Sequence, residues 1–190
     1  QTIQALITSL GDEDQLVIEA AMKSLMTFGH EVASNLRTAL STPDLGVRWS
    51  AAEMLVNYPS AESEKALRLA LRDDSPHVQG ASARSLRNMV RDQETVEALV
   101  ELLDHAQPFP RYQALRTLRA HDPSLVDEAQ ILRQDLQSAN PADRSAALDY
   151  IREHRKMNWI REVEQLLNDS NRGVRRAAEW ALERLHSTTG

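Results

Sequence analysis

The fold is decided by the stretch DLGVRWSAAEML, residues 44–55, in which a turn is followed by the pattern V-R-x-x-A-x-x-x-L. We take the valine of this pattern as an anchor. Related anchors stand 30, 31, 32, 33 and 31 residues apart along the chain, at Val17, Val47, Val78, Pro110, Asp143 and Val174. A near-constant period of this length predicts stacked units that share one continuous core.

Two further positions repeat with the anchor. The fourth residue after it is small in every unit: Ala21, Ala51, Ser82, Ala114, Ala147 and Ala178. The eighth is Leu or Ile: Leu25, Leu55, Leu86, Leu118, Ile151 and Leu182. Residues at i, i+4 and i+8 share one face of a helix. We therefore expect the small residues to be buried where helices approach closely, and the Leu and Ile residues to be nearly fully buried.

Each unit is predicted to contain two helices, with the anchor on the second. Second helices are expected near 14–27, 45–57, 76–91, 108–120, 141–156 and 172–187, and first helices near 2–10, 30–41, 61–72, 93–104, 124–137 and 158–168. The pairs Thr42-Pro43, Ser75-Pro76 and Asn140-Pro141 are read as a helix N-cap followed by proline at the first helical position. The prediction is an all-α solenoid of about twelve helices.

The organisation predicted from this pattern is a single domain spanning residues 1–190. Its six units lie at about 1–28, 29–59, 60–91, 92–121, 122–156 and 157–187. Because the chain starts at Gln1 without methionine, we expect it to be part of a longer protein.

Composition excludes several classes of function. With no cysteine, the chain has no disulfide, thiolate metal site or cysteine nucleophile. No nucleotide-binding, hydrolase or zinc-protease motif is present, and the six histidines lack metal-ligand spacing on one helix face. No apolar run of about 18 residues is present either, so no membrane span is expected. We expect a cytoplasmic protein that is not an enzyme, with no catalytic residue, no metal and no cofactor.

The segment 44–55, together with NRGVRRAAEWAL at 171–182, resembles the short bacterial HEAT repeat, a type also found in phycobilisome lyases. The resemblance covers the whole chain and implies a superhelix whose second helices line the concave face. It implies no single function, since the family includes scaffolds, adaptors, bilin lyases and a branch of DNA glycosylases. Two units depart from the pattern, with Gln107-Pro108-Phe109-Pro110-Arg111 in the fourth and Asp143 at the anchor of the fifth. A bent or specialised inner turn is expected in those units.

Charge is distributed unevenly between the two sets of helices. The predicted second helices carry 16 basic and 8 acidic residues, a net charge of +8, so the remainder of the −6 chain carries −14. Arginines one place after the anchor follow the HEAT consensus, and we interpret them as a structural ladder that pairs with turn carboxylates: Arg48, Arg111, Arg144 and Arg175.

Other basic and aromatic residues on the second helices have no consensus role. They are candidates for partner binding: Arg84, Arg87, Arg91, Tyr112, Arg116, Arg119, Arg152, Trp49 and Trp180. We expect five of these arginines and Tyr112 to form one exposed basic patch. The alternatives are a solvated helix face for the arginines and, for the two tryptophans, partly buried structural positions.

The leading hypothesis is a scaffold that binds another protein or an acidic peptide segment in a basic concave groove. Binding of nucleic acid is the second hypothesis, by analogy with the HEAT-like DNA glycosylases. It requires a catalytic carboxylate beside stacking aromatics, for which the sequence offers Asp149. A bilin lyase is the third hypothesis, and it rests on the repeat resemblance alone.

Overall fold

A computed structural model of the chain describes residues 2–187, and over that range its regular structure is helical, with no strand. Twelve α-helices follow one another in six pairs: α1 (Thr2–Thr8), α2 (Gln15–Met26), α3 (Val32–Ala39), α4 (Leu45–Met54), α5 (Ala61–Ala70), α6 (Pro76–Ser85), α7 (Gln93–Glu101), α8 (Pro108–His121), α9 (Glu128–Leu136), α10 (Pro141–Glu153), α11 (Ile160–Gln165) and α12 (Arg172–His186). The predicted all-α solenoid of helix pairs is confirmed.

Several helices end earlier than the sequence predicts, because their last turn tightens into a 3₁₀ helix. Such turns follow α1, α4, α6, α7 and α11, at Ser9–Gly11, Leu55–Asn57, Leu86–Asn88, Leu102–Asp104 and Leu166–Asn168. Others precede α3, α9 and α11, at Gly29–Glu31, Pro123–Leu125 and Met157–Trp159. A 3₁₀ turn satisfies carbonyls that the end of an α-helix leaves without partners.

The chain forms two compact units, one that extends to Val126 and one that starts at Asp127. In the first unit, α4 packs on α6 and α6 on α8, while α3 packs on α5 and α5 on α7. The second helices therefore form one layer and the first helices another. In the second unit, α10 packs on α12.

Small side chains lie where the stacked second helices approach each other closely, as the spacing predicted. Ala51, Ala114, Ala147 and Ala178 are fully buried, and the Leu and Ile side chains four places later have at most 9 % of their surface exposed. Hydroxyl groups tie neighbouring helices together across this contact. Ser85 Oγ donates to the carbonyl of Ala52 at 2.7 Å, and Thr117 Oγ1 donates to that of Ala83 at 2.6 Å.

Two arginines of the predicted ladder, Arg48 in the first unit and Arg144 in the second, pair with turn carboxylates of the next repeat. Arg48 donates from Nε and Nη2 to the two carboxylate oxygens of Asp73, at 2.8 and 3.2 Å. Arg144 makes the same bidentate contact with Asp169 at 2.7 and 2.8 Å. Arg48 and Arg144 also donate from Nη1 to the carbonyl six residues earlier in the chain, which secures the turn before the helix. The fifth repeat keeps this ladder although Asp143 replaces the apolar anchor.

One of the three predicted helix starts is wrong. Asp44, not Thr42, is the N-cap of α4, and its carboxylate accepts from the N–H of Val47 at 2.9 Å. The carbonyl of Thr42 instead accepts a hydrogen bond from Arg48 Nη1. The anchor Val17 is 38 % exposed, whereas Val47, Val78 and Val174 are buried. The predicted N-caps Ser75 and Asn140 are confirmed.

Candidate functional site

Three aromatic side chains from successive repeats form a row on the second helices of the first unit. The Trp49 ring centroid lies 6.4 Å from that of His77, and the His77 centroid lies 6.2 Å from that of Phe109. All three side chains are exposed, Trp49 at 41 % and Phe109 at 37 %. We call Trp49, His77 and Phe109 the aromatic row.

The Phe109 ring is seated on the backbone of α6 at Gly80. A Cβ atom added to Gly80 would lie 2.2 Å from Phe109 Cε1, so a residue larger than glycine would displace the ring from this position. Sequence reasoning missed Phe109 and His77 as parts of a surface. The available signal was Gly80 itself, because an interior helical glycine is unfavourable unless a backbone must be approached closely.

Basic side chains lie along the same helices, two turns beyond the aromatic row. Arg84 follows His77 by seven residues and Arg116 follows Phe109 by seven, so each pair is about 10.5 Å apart along its helix. Arg84 is exposed and forms an ion pair with Glu53 of the neighbouring helix α4. We call Arg84 and Arg116 the basic row.

The structure only partly reproduces the predicted basic patch. Arg84, Arg87 and Arg91 are exposed, whereas Arg116 and Arg119 are half-buried. Interactions within the chain also involve Arg87, Arg116 and Arg119.

The assignment of Tyr112 to an exposed patch is wrong, because this side chain is only 4 % exposed. Residues 110–115 of α8 are all buried, which means that the helix is covered on more than one face. The position two places after the anchor faces solvent on α4, at Trp49, but is covered on α8. The guanidinium of Arg111 lies 5.9 Å from the centroid of the Tyr112 ring.

In the second unit, Arg152 and Trp180 line one open cleft of about 830 Å³. Glu153, Glu183 and Arg184 complete most of its wall, so both signs of charge surround the indole ring. Trp180 is 47 % exposed, and the guanidinium of Arg176 lies 4.6 Å from its ring centroid. Neither Trp49 nor Trp180 is a core residue, which leaves both rings accessible to a partner.

The carboxylates show structural roles. The guanidinium of Arg144 donates hydrogen bonds to Asp169 and thereby lowers the pKa of that carboxyl group, although burial acts in the opposite direction. Asp149, the carboxylate considered for glycosylase chemistry, forms an exposed ion pair with Arg152 at 2.8 Å. In residues 2–187, no group of three His, Asp or Glu side chains is arranged to hold a metal ion. Nor is any helix in that part of the chain long and apolar enough to cross a membrane.

Comparison with known proteins identifies the repeat. The family model described as HEAT repeats matches residues 34–119 and 64–138, which together span more than half of the chain. The chain belongs to the HEAT-repeat family. The match includes α4, α6 and α8, so the aromatic and basic rows lie on HEAT second helices. No curated protein sequence matches the chain significantly.

Solved HEAT-type and related repeat structures are similar to the whole chain at low sequence identity. An engineered protein is 21% identical with a TM-score of 0.50, over 97% of this chain and 53% of that one. The CpcE–CpcF complex of phycocyanin lyase from Nostoc is 19% identical with a TM-score of 0.45, over 98% and 66%. Human deoxyhypusine hydroxylase is 21% identical with a TM-score of 0.45, over 97% and 74%. Likeness at this level shows the fold alone.

Proposed function

We propose that this HEAT-repeat chain is a non-catalytic scaffold that binds an acidic, extended segment of another protein on its second helices. HEAT repeats stack into long surfaces, and such repeats typically serve protein interaction. A partner that lies along the surface contacts several repeats at once. The acidic character of that partner follows from the charges on α4, α6 and α8.

The observation that carries the proposal is the charge imbalance on one layer of the first unit. Segments 45–57, 76–91 and 108–121 contain seven arginines and a single carboxylate, that of Glu53. Glu53 pairs with Arg84, and Asp73 pairs with Arg48. Arg87, in the 3₁₀ turn after α6, and Arg91, in the loop before α7, are exposed. Like charges held close together raise the free energy of the unbound protein, and an anionic partner relieves this repulsion.

The test is charge reversal at the exposed arginines, measured with a fluorescein-labelled twelve-residue polyglutamate peptide. Arg84, Arg87 and Arg91 are changed together to Glu, and the affinity is read by fluorescence anisotropy. The matched control reverses three basic residues on the layer of first helices and the turn after α5: Arg37, Lys65 and Arg72. Both triple variants change the net charge by the same amount, so only the location of the charges differs.

The proposal predicts that the first variant loses about 100-fold or more in affinity, while the control loses less than about fivefold. Wild-type binding should weaken steeply between low and physiological salt, because exposed charges are screened. Equal losses in the two variants would mean that binding depends on net charge and not on this layer. Tighter binding of single-stranded DNA than of the peptide, with a linear log–log salt dependence, would favour the nucleic-acid hypothesis instead.

A further inference from the structure

We propose that the aromatic row and the basic row are the two edges of a groove for an extended peptide in which apolar and acidic residues alternate. This inference rests on the proposed function and specifies the sequence of the partner. The aromatic row supplies the apolar edge, at Trp49, His77 and Phe109. The basic row supplies the edge that recognises carboxylates, at Arg84 and Arg116.

The spacing of the rings matches an extended chain. Successive ring centroids of the aromatic row are 6.4 and 6.2 Å apart. Alternate side chains on one side of a β-strand are about 6.4–6.8 Å apart, because each residue advances the chain by about 3.2–3.4 Å. Residues i, i+2 and i+4 of a peptide that crosses α4, α6 and α8 can therefore each meet one ring.

The distance between the aromatic row and the basic row leaves room for an extended peptide and the side chains on both of its sides. His77 and Arg84 are two helical turns apart, as are Phe109 and Arg116, which corresponds to about 10.5 Å. A peptide backbone that runs midway between the rows has about 5 Å on either side. Successive side chains of a strand point in opposite directions, so every second one faces the rings and the others face the arginines.

The position of the apolar edge is fixed by a packing contact between two helices. Phe109 reaches its position only because Gly80 leaves room for the ring on the backbone of α6. Leu45, one turn before Trp49 on α4, adds a further exposed apolar side chain at this end of the helices. Exposed aromatic side chains beside arginines are the composition of interface centres, where they supply most of the binding energy.

Glu53 occupies the position that a carboxylate of the peptide would take. It lies on α4 and forms an ion pair with Arg84, which is exposed at 44 % of its side chain. An acidic residue of the partner must compete with this carboxylate for the guanidinium. Replacement of Glu53 by Gln removes the competing charge and leaves Arg84 in place, so it should tighten binding.

The experiment compares two fluorescein-labelled peptides of identical composition at nanomolar concentration. One alternates four Leu with four Glu, and the other places the four Leu before the four Glu. Affinities are measured by anisotropy for the wild type, Trp49→Ala/Phe109→Ala, Glu53→Gln and the control Leu69→Ala, which removes an exposed apolar side chain from the first helix α5. Far-UV circular dichroism verifies that each variant keeps its helical content.

We expect the alternating peptide to bind the wild type about tenfold tighter than the block peptide. Trp49→Ala/Phe109→Ala should abolish this preference, Leu69→Ala should preserve it, and Glu53→Gln should tighten the binding of both peptides by about threefold or more. Equal affinity of the two peptides for the wild type, with binding still dependent on Arg84, Arg87 and Arg91, would overturn this inference and leave the proposed function standing. Absence of binding to either peptide and to polyglutamate would overturn both.

Discussion

Replacement of Asp169 by Asn removes the charge from one partner of a buried ion pair in the second unit. Asp169 accepts from Arg144 Nε and Nη2 at 2.7 and 2.8 Å, and the two side chains are only 7 % and 9 % exposed. It also accepts from the N–H of Asn171 at 2.7 Å. Loss of one partner of a buried pair typically destabilises a protein by about 3–5 kcal/mol.

The asparagine retains part of these contacts, because its amide oxygen can still accept from the guanidinium or from the Asn171 N–H. We therefore expect a destabilisation of about 2–4 kcal/mol for Asp169→Asn. In a chain of 190 residues this corresponds to a midpoint lowered by roughly 5–15 °C. The assay is thermal unfolding followed by far-UV circular dichroism.

The matched control is Glu101→Gln. Its partner Arg72 donates at 2.9 Å, close to the distance in the buried pair, but the two side chains are 65 % and 62 % exposed. An exposed pair contributes about 0–1 kcal/mol, so the midpoint should fall by no more than about 2–3 °C. Similar midpoints for the two variants would refute the reasoning, because burial of the pair would then have no energetic consequence.

Three further predictions concern packing and pH. Ala147→Leu should overpack the contact between second helices and destabilise the protein by about 1–3 kcal/mol; an unchanged urea midpoint would show that the buried face is misassigned. Gly80→Ala should also destabilise the protein, because the added Cβ would clash with the Phe109 ring. The double variant Gly80→Ala/Phe109→Ala should largely recover the unfolding midpoint of the wild type. The pKa of Asp169 is lowered in the folded state, so its stabilising contribution is complete above its unfolded pKa of about 3.9 and is lost as pH falls through the folded value. The difference in midpoint between wild type and Asp169→Asn should therefore shrink below about pH 4, and a constant difference down to pH 2.5 would contradict the assigned cause.

Much of the fold could be predicted from the spacing of residues, because residues four and eight positions apart lie on the same face of a helix. The buried positions of Ala51 and Leu55 follow directly from their places four and eight residues after the anchor. The ladder between Arg48 and Asp73 follows the same repeat logic. The sequence does not distinguish Thr42 from Asp44 as the N-cap, because Thr42, Pro43 and Asp44 all favour a helix start. Only the hydrogen bond from the Val47 N–H to the Asp44 carboxylate identifies the cap.

The candidate site was less predictable, since exposure depends on what packs against each helix. Tyr112 and Trp49 occupy the same place in the repeat, yet one is buried and the other exposed, because α8 is covered on more faces than α4. Phe109 precedes its anchor and becomes part of the aromatic row only through its contact with Gly80 of the preceding repeat. Contacts of this kind between side chain and backbone in different repeats leave little periodic trace in a sequence.

The most direct test of the account is to map the amides that respond to an acidic peptide. Uniformly ¹⁵N-labelled protein is titrated with the alternating Leu–Glu peptide, and chemical-shift changes are recorded in two-dimensional spectra. The account predicts that the largest changes cluster in α4, α6 and α8, around Trp49, His77 and Arg84. Changes concentrated on the first helices α3, α5 and α7, or confined to the second unit, would contradict it.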